Sequence, residues 1–153
     1  MDSTLHKRVG ILAPLSELDR HAFVRCADRI TFQKDQEVLP QGHHSASLFI
    51  VQDGLLHVRR RSKGHDVLLG RLEPGSVFGE VSLFDPGPTT ASVRALSDGV
   101  LLAITREHLE AFAATNPAAA ILIFTGIIGE MARRLRRADE QLIDSIMWGG
   151  LLK

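Results

Sequence analysis

The spacing of apolar residues divides the chain into helical ends and a central part with a two-residue period. Ser16 followed by Asp19 is a weaker form of the capping box that begins helices, so we predict a helix from this point. Its apolar positions have three- to four-residue spacing and are Leu15, Leu18, Ala22, Phe23 and Cys26. A shorter lead-in helix is expected at residues 5–10. We therefore predict N-terminal helices within residues 1–28, with Cys26 packed on a helix face.

Residues 29–104 are predicted to form a β-roll, because short apolar runs alternate with glycine-containing turns. Asp53-Gly54 is the strongest hairpin signal, and we expect it to join strands at residues 48–51 and 55–58. Short strands at regular spacing are typical of a jelly-roll barrel, or double-stranded β-helix. The predicted fold class is mainly β with flanking α-helices and a long C-terminal helix, in one domain over residues 1–153.

Helical spacing returns over residues 105–148. Thr105 is a predicted N-cap, and Asn116 followed by Pro117 predicts the start of a last helix. A helix over residues 117–147 would be about 46 Å long, which exceeds what one small barrel can cover. Apolar or small residues along it alternate in steps of three and four, as in a coiled-coil seam. We predict a homodimer through this helix, with four seam residues at the interface: Ile128, Met131, Leu135 and Leu142.

Composition narrows the class of protein. The 153 residues suit one domain, and 18 basic residues balance 18 acidic ones, so no global field favours nucleic acid or an anionic membrane. No apolar run is long enough to span a bilayer, and residues 1–10 lack a signal-peptide core. Cys26 is the single cysteine, which favours the cytoplasm. We expect a cytoplasmic protein that binds neither nucleic acid nor membrane.

Residues 78–95 carry the pattern of a binding site. A turn at Pro74-Gly75 precedes this stretch, and Gly79 opens a short apolar helical segment that a proline-rich loop ends. The first turn of a helix leaves backbone N–H groups free, and these attract anions such as phosphate. Glu80 beside them can accept hydrogen bonds from ligand hydroxyls. Backbone N–H groups can bind a phosphate, and the neighbouring carboxylate can bind the hydroxyls of a sugar. Together they predict a nucleotide pocket.

The same stretch resembles the phosphate-binding cassette of cyclic nucleotide-binding domains. It contains Phe-Gly-Glu, a leucine three residues later, and a proline-led loop that ends in Ala-Ser-Val-Arg-Ala. The resemblance covers residues 9–142, and the family includes the bacterial catabolite activator protein and the regulatory subunits of protein kinase A. It implies a barrel flanked by helices, a dimerising last helix, and cyclic AMP or cyclic GMP as ligand, with no required cofactor. The implied ligand-binding residues are Phe78, Gly79, Glu80, Val81, Thr89, Thr90, Ala91 and Ser92.

One position departs from the family pattern, which has an arginine directly after the proline. Here Thr89 stands at that position. A hydrogen bond to a charged group contributes about 1.5–3 kcal/mol, so binding should be weaker by about tenfold to a hundredfold or more. We therefore predict a regulatory module that senses a cyclic nucleotide or another anionic ligand weakly and signals through the dimer helix. The alternative is a degenerate adaptor that binds a partner protein. Arg94 could replace the missing charge, although strand alternation favours an outward side chain.

Other polar groups are expected to have structural roles. The arginines at 133, 134, 136 and 137 are interpreted as a solvated helix flank with ion pairs to acidic residues such as Glu130. Adjacent His43 and His44 would point to opposite faces of a strand, so neither a metal site nor an enzyme is predicted. In this family a C-terminal aromatic residue can cover the purine of the ligand, and Trp148 could do so. We favour the alternative that Trp148 packs between the paired helices of the dimer. Five residues after Trp148 cannot form a DNA-reading module.

Overall fold

A computed structural model describes residues 10–150. The predicted lead-in helix at residues 5–10 lies, except for its last residue, outside the described part of the chain. The helices are a 3-10 turn at Gly10–Leu12, α1 (Glu17–Cys26), α2 (Glu80–Phe84), α3 (Arg106–Thr115) and α4 (Pro117–Gly150). The strands are β1 (Asp28–Phe32), β2 (Glu37–Leu39), β3 (His44–Ser45), β4 (Ser47–Asp53), β5 (Leu56–Ser62), β6 (His65–Leu72), β7 (Val77–Phe78), β8 (Gly87–Pro88), β9 (Ser92–Ala95) and β10 (Gly99–Thr105).

The strands form two antiparallel sheets and a short pair. One sheet has the order β1-β10-β4-β7 and the other β2-β9-β5-β6, while β3 pairs with β8. Successive strands often belong to different sheets, so the chain crosses repeatedly between the two layers. This arrangement is a jelly roll with helices at its ends, and it confirms the predicted fold class.

The core has two parts that share the strands β4 and β10. Leu48 and Ile50 face the helices, where Phe23 and Phe112 pack with ring centroids 5.2 Å apart. The alternate residues of β4, Phe49 and Val51, face the interior between the two sheets. These strands are buried on both faces, which explains why they are continuous apolar runs in the sequence.

The helix starts follow the predicted caps. The Ser16 hydroxyl accepts a hydrogen bond from the Asp19 N–H at 3.1 Å and donates to the Asp19 carboxylate at 2.6 Å. Thr105 caps α3 through a hydrogen bond from the His108 N–H at 3.2 Å, and the His108 ring accepts the Thr105 N–H in return. Cys26 packs partly buried against the helix-side core, as expected. These contacts set where α1 and α3 begin on the barrel.

The predicted hairpin at Asp53-Gly54 is wrong. β4 pairs with β10 and β7, whereas β5 pairs with β6 and β9, so Asp53-Gly54 joins two different sheets. The hairpin lies at Lys63-Gly64 instead, where both residues have positive φ and Ser62 pairs with His65. Positive φ at both central residues is the requirement of a type I′ hairpin turn, and it occurs in this loop, whereas only the glycine of the Asp-Gly pair has positive φ.

Helix α4 has 34 residues and is therefore about 51 Å long. Its first turns are buried on the barrel through Ala119, Ala120, Ile123 and Ile127. Gly126 allows a close approach to the 3-10 turn, since a Cβ there would lie 3.1 Å from the Ile11 Cβ. Farther along, the helix extends beyond the barrel with exposed apolar residues. Within the described residues, no helix is both long and apolar enough to cross a membrane.

Candidate functional site

The segment that follows β7 is shaped by Gly79. Gly79 has φ of +78° and precedes the first residue of α2. A Cβ at this position would lie 2.6 Å from the Ser47 carbonyl oxygen, so both the dihedral and the space require glycine. The segment is further held by Phe78, whose ring stacks on Phe49 with centroids 5.0 Å apart. The start of α2 is therefore fixed against β4.

A cleft of about 680 Å³ opens between this segment, the strands β6 and β7, and α4. We call it the cassette cleft. Seven of the eight predicted ligand-binding residues line it: Phe78, Gly79, Glu80, Val81, Thr89, Thr90 and Ala91. Ser92 is outside its lining, and its hydroxyl donates to the Arg59 carbonyl at 3.2 Å. Because Val93 and Ala95 face the barrel core, strand alternation turns Ser92 to the outer face of β9.

Thr89 lines the cassette cleft with only 7% of its surface exposed, and its polar groups are engaged by the turn before β3. Its hydroxyl donates to the Pro40 carbonyl and accepts the His43 N–H at 3.1 Å. Its own N–H donates to the His43 carbonyl at 2.9 Å, and its carbonyl accepts the Gly42 N–H at 2.8 Å. Thr89 thus ties two segments of the barrel together, and its hydroxyl is oriented towards the protein.

Arg94 does not replace the charge that is missing at position 89. It is exposed on β9, pairs across the sheet with Glu37 and His57, and its Nε donates to the Asp35 carbonyl at 3.0 Å. Its neighbours Val93 and Ala95 face the core. Arg94 therefore lies on the outer surface of the barrel, as strand alternation favoured.

Glu80 is 7% exposed and is bound by an arginine from α4. The Arg134 Nη1 lies 2.7 Å from the Glu80 Oε1, and the Arg134 Nη2 donates to the Val77 carbonyl. The other carboxylate oxygen, Glu80 Oε2, is buried and has no hydrogen-bond partner within the described residues. The cassette and α4 are thus joined by an ion pair, and the second carboxylate oxygen of Glu80 is left without a hydrogen bond among the described residues.

The interpretation of the arginine run as a solvated flank is wrong for Arg134 and incomplete for its neighbours. Arg133, Arg134 and Arg137 line the cassette cleft, whereas Arg136 is outside its lining. The expected ion pairs to Glu130 are present at 3.0 Å for Arg133 and 3.1 Å for Arg134. The interpretation failed because one face of α4 covers the cleft, which the sequence of the helix alone does not reveal.

Glu130 is the acidic centre of this group. Burial acts to raise the pKa of the Glu130 carboxyl, but hydrogen bonds from Arg133 and Arg134 and the positive charge of both outweigh burial, so the pKa is lowered. The Arg137 Nη2 approaches the same carboxylate to 3.9 Å. One ionised carboxylate is therefore shared by three guanidinium groups.

Sequence analysis missed these α4 residues as part of the site, although it contained a partial signal. Glu130, Arg133, Arg134 and Arg137 are spaced by three, four and seven residues, which places them on one side of a helix. Trp148, which was considered as a purine cover, is 72% exposed and does not line the cleft. Within residues 10–150, no group of three metal-ligating side chains is placed to hold an ion. The charged groups that line the cleft include the carboxylates of Glu80 and Glu130 and the guanidinium groups of α4.

Comparison with known proteins agrees with this architecture. Residues 29–116 match the cyclic nucleotide-binding domain family. The chain belongs to this family. It is 30% identical over 147 residues to a CRP-like cAMP-activated global transcriptional regulator of Mycobacterium tuberculosis, covering 95% of this chain and 63% of that protein. It is 34% identical over 115 residues to the cyclic AMP receptor protein of Thermus thermophilus, covering 74% and 51% respectively.

The solved structures show the same fold. The catabolite activator protein of Thermus thermophilus superposes with a TM-score of 0.78 at 30% identity, covering 86% of this chain and 61% of that one. A cyclic nucleotide-binding domain from Methylobacillus flagellatus also gives a TM-score of 0.78, at 17% identity. The chain spans between 51% and 63% of the length of the two curated relatives. The family is thus a regulatory one whose domains bind cyclic nucleotides.

Proposed function

We propose that this protein is a cytoplasmic regulatory module that binds a cyclic nucleotide or another anionic ligand weakly and signals through α4. The observation that carries the proposal is the hydrogen bonding of the Glu80 carboxylate. Its Oε1 is bound by Arg134 of α4, while its Oε2 is buried without a partner among the described residues. A buried, unpaired carboxylate oxygen is costly, and a ligand hydroxyl would satisfy it.

The proposed signal passes through the Glu80–Arg134 ion pair. A ribose hydroxyl that donates to Glu80 Oε2 changes the hydrogen bonding of the carboxylate that Arg134 contacts. Arg134 also bonds the Val77 carbonyl and Glu130, so its side chain connects the cleft wall to α4. A second link is the contact of Phe84 in α2 with Phe124 in α4, whose ring centroids are 6.3 Å apart. Both contacts join the ligand-binding segment to the helix, so a ligand that prefers one arrangement of these groups biases the position of α4.

We propose that α4 also forms the dimer. The predicted seam residues are exposed: Ile128 at 65%, Met131 at 36%, Leu135 at 64% and Leu142 at 59%. An apolar stripe of this length on a helix that extends past the barrel is typical of a coiled-coil interface. A second copy of the chain offers the complementary stripe. Ligand binding in each protomer would then be read out through the paired helices.

Weak affinity is proposed because the cassette residues that line the cleft include no cation. Thr89 supplies no charge and its hydroxyl is bonded to Pro40 and His43. The same observation favours the alternative function, an adaptor whose cleft stays without a nucleotide and whose surface binds a partner protein. In either case we propose a regulatory rather than a catalytic role. The balanced charge of the chain supports the further expectation that it does not bind nucleic acid.

Calorimetry with cyclic AMP and cyclic GMP tests the proposal. We expect dissociation constants weaker by about tenfold to a hundredfold than a site with an arginine at position 89 would give. Glu80→Gln keeps the shape of the side chain but removes its charge, and it should weaken binding further. Asp85→Asn, in the loop after α2, is the matched control and should bind as the wild type does. Absence of heat with both nucleotides at millimolar concentration would favour the adaptor.

A further inference from the structure

Heptad spacing places a basic and an acidic residue on the two flanks of the proposed dimer seam. Leu135 and Leu142 are seven positions apart and occupy a positions of a coiled coil, with Ala138 between them at a d position. Arg134 directly precedes an a residue and is therefore a g position. Asp139 directly follows a d residue and is therefore an e position. The acidic e residue thus lies five positions after the basic g residue.

The two flanks meet when the helices are parallel. In a parallel, in-register pair, a g residue faces the e residue five positions later on the other helix. Arg134 is then opposite Asp139 of the partner subunit, and the two-fold axis of the dimer repeats this contact. An antiparallel pair would match g with g and e with e. No g residue from position 127 to 141 is acidic and no e residue from position 125 to 146 is basic, so only the parallel pair brings opposite charges together.

The Asp139 carboxylate is available for such a contact. It is exposed and forms no ion pair within the described residues, although Arg136 lies three positions before it. A basic residue that precedes an acidic one is the less favourable order for an ion pair along a helix. Asp139 is therefore a charge that the single chain leaves without a partner.

Arg134 can bind a further carboxylate. It donates one hydrogen bond from each nitrogen, to Glu130, Glu80 and the Val77 carbonyl, and its side chain remains 34% exposed. Because each terminal nitrogen of a guanidinium carries two N–H groups, Nη1 and Nη2 each keep one free. The charged residues that line the cassette cleft are four arginines and three glutamates, Glu73 among them. One carboxylate from a second copy of the chain balances the excess positive charge.

We infer that Asp139 of the partner subunit binds Arg134 and completes the α4 wall of the cassette cleft. The inference rests on the proposed dimer and names the residue that each protomer supplies to the site of the other. Arg134 then links Glu80 of the cassette to the partner helix. A ligand that changes the hydrogen bonding of Glu80 acts on both contacts of Arg134, so ligand affinity and dimer affinity are thermodynamically linked.

Sedimentation equilibrium of two charge-reversal variants tests the contact. Asp139→Lys sets like charges against each other at both symmetric contacts and should raise the dimer dissociation constant at least about tenfold. Glu140→Lys makes the same change of charge at the next residue, an f position directed away from the other helix, and should stay within about twofold of the wild type. Both side chains are exposed, so circular dichroism should show both variants folded.

Disulfide formation tests the register of the two helices. In a Cys26→Ala background, Leu142→Cys should give a disulfide-linked dimer on mild oxidation, because parallel, in-register helices bring the two seam positions within reach of a disulfide. Glu140→Cys in the same background is the control and should form this dimer much more slowly, since its position faces away from the seam.

The outcomes separate this inference from the proposed function. Equal dissociation constants for Asp139→Lys and Glu140→Lys would overturn the inference, as would a dimeric wild type in which Leu142→Cys cross-links no faster than Glu140→Cys. In both cases the proposed dimer and ligand site would still stand. A monomeric wild type at tens of micromolar would overturn the inference together with the proposed dimer.

Discussion

At the scale of single residues, Thr89 stands where the family pattern has an arginine, and it also stabilises the fold. Its hydroxyl and both of its backbone polar groups bond the turn at residues 40–43. Sequence analysis identified position 89 as the place where the arginine of the family pattern is missing, and a substitution could restore its charge. The structure adds a cost, because the hydroxyl satisfies partly buried backbone groups of Pro40 and His43.

Thr89→Arg is therefore expected to have two opposite effects. Affinity for cyclic AMP should rise by about tenfold to a hundredfold, and the free energy of unfolding should fall by about 1–3 kcal/mol because backbone groups lose their partners. Thr89→Val separates the two effects, since it removes the hydroxyl without adding charge. It should lower stability by a similar amount and leave the affinity unchanged, as measured by denaturant unfolding and calorimetry. Loss of binding in Thr89→Val would mean that the hydroxyl contacts the ligand.

His57 is a second residue whose environment the sequence did not indicate. Burial lowers the pKa of the imidazole below its ordinary 6.5, and the nearby Arg59, Arg94 and Arg71 lower it further, against an opposing effect of Asp66. Its Nε2 is buried and has no hydrogen-bond partner within the described residues. The folded protein therefore disfavours the protonated form of this side chain.

This lowered pKa predicts a loss of stability on acidification. The unfolded chain takes up the proton at pH values where folded His57 is still neutral, so the free energy of unfolding falls as pH decreases from about 6.5 towards the folded pKa. His57→Gln should remove this part of the pH dependence. The check is an NMR titration of the imidazole with unfolding measured between pH 7.5 and about 5. A pKa at or above 6.5 in the folded protein would contradict the prediction.

At the scale of elements, α4 has three functions that share one helix. Buried residues such as Ile123 and Ile127 attach it to the barrel, Glu130 and its arginines cover the cassette cleft, and exposed residues such as Leu135 continue beyond the barrel. The cleft residues continue the barrel-facing side of the helix, because Glu130 lies seven positions after Ile123 and Arg134 lies seven positions after Ile127, whereas Leu135 is offset by one position. Substitutions at the exposed apolar positions can therefore be tested separately from those that face the barrel and the cleft.

Leu135→Asp tests the proposed dimer face. Wild-type protein should sediment as a dimer at tens of micromolar, and the variant should sediment as a monomer, because pairing would bury two aspartates at a cost of several kcal/mol each. Arg136→Gln is a control at the adjacent, exposed position and should remain dimeric. Thermal unfolding should show that monomeric Leu135→Asp is still folded, since Leu135 is 64% exposed in the single chain. A monomeric wild type at this concentration would contradict the proposal.

At the scale of the whole molecule, the cassette cleft and α4 are connected through both parts of the core. Phe49 of β4 stacks on Phe78 beside the cleft, while its neighbours Leu48 and Ile50 pack against the helices. Because packed interiors transmit displacements instead of absorbing them, movement at Phe78 affects both sides of this sheet. The jelly roll is thus a packed support for the ion pair between Glu80 and Arg134, which is the contact that we propose responds to a ligand.

The amino-acid sequence by itself determined the elements whose signals are local. These elements are the caps at Ser16 and Thr105, the apolar run of β4 and the long last helix. Each depends on near neighbours and is present as predicted. The pattern from Phe78 to Ala95 was also sufficient for the family and for most of the cleft lining. In these cases the residues that make the contact lie within a few positions of one another.

Only the tertiary structure decided which segments meet. Asp53-Gly54 has the local chemistry of a hairpin, but the pairing of β4 with β10 and of β5 with β6 makes it a crossing between sheets. Arg134 contacts Glu80, 54 positions earlier in the sequence, because α4 packs across the open side of the cleft. Long-range contacts of this kind depend on how separate apolar faces are buried together. The residues next to Glu80 or Arg134 in the sequence do not indicate that the two will meet.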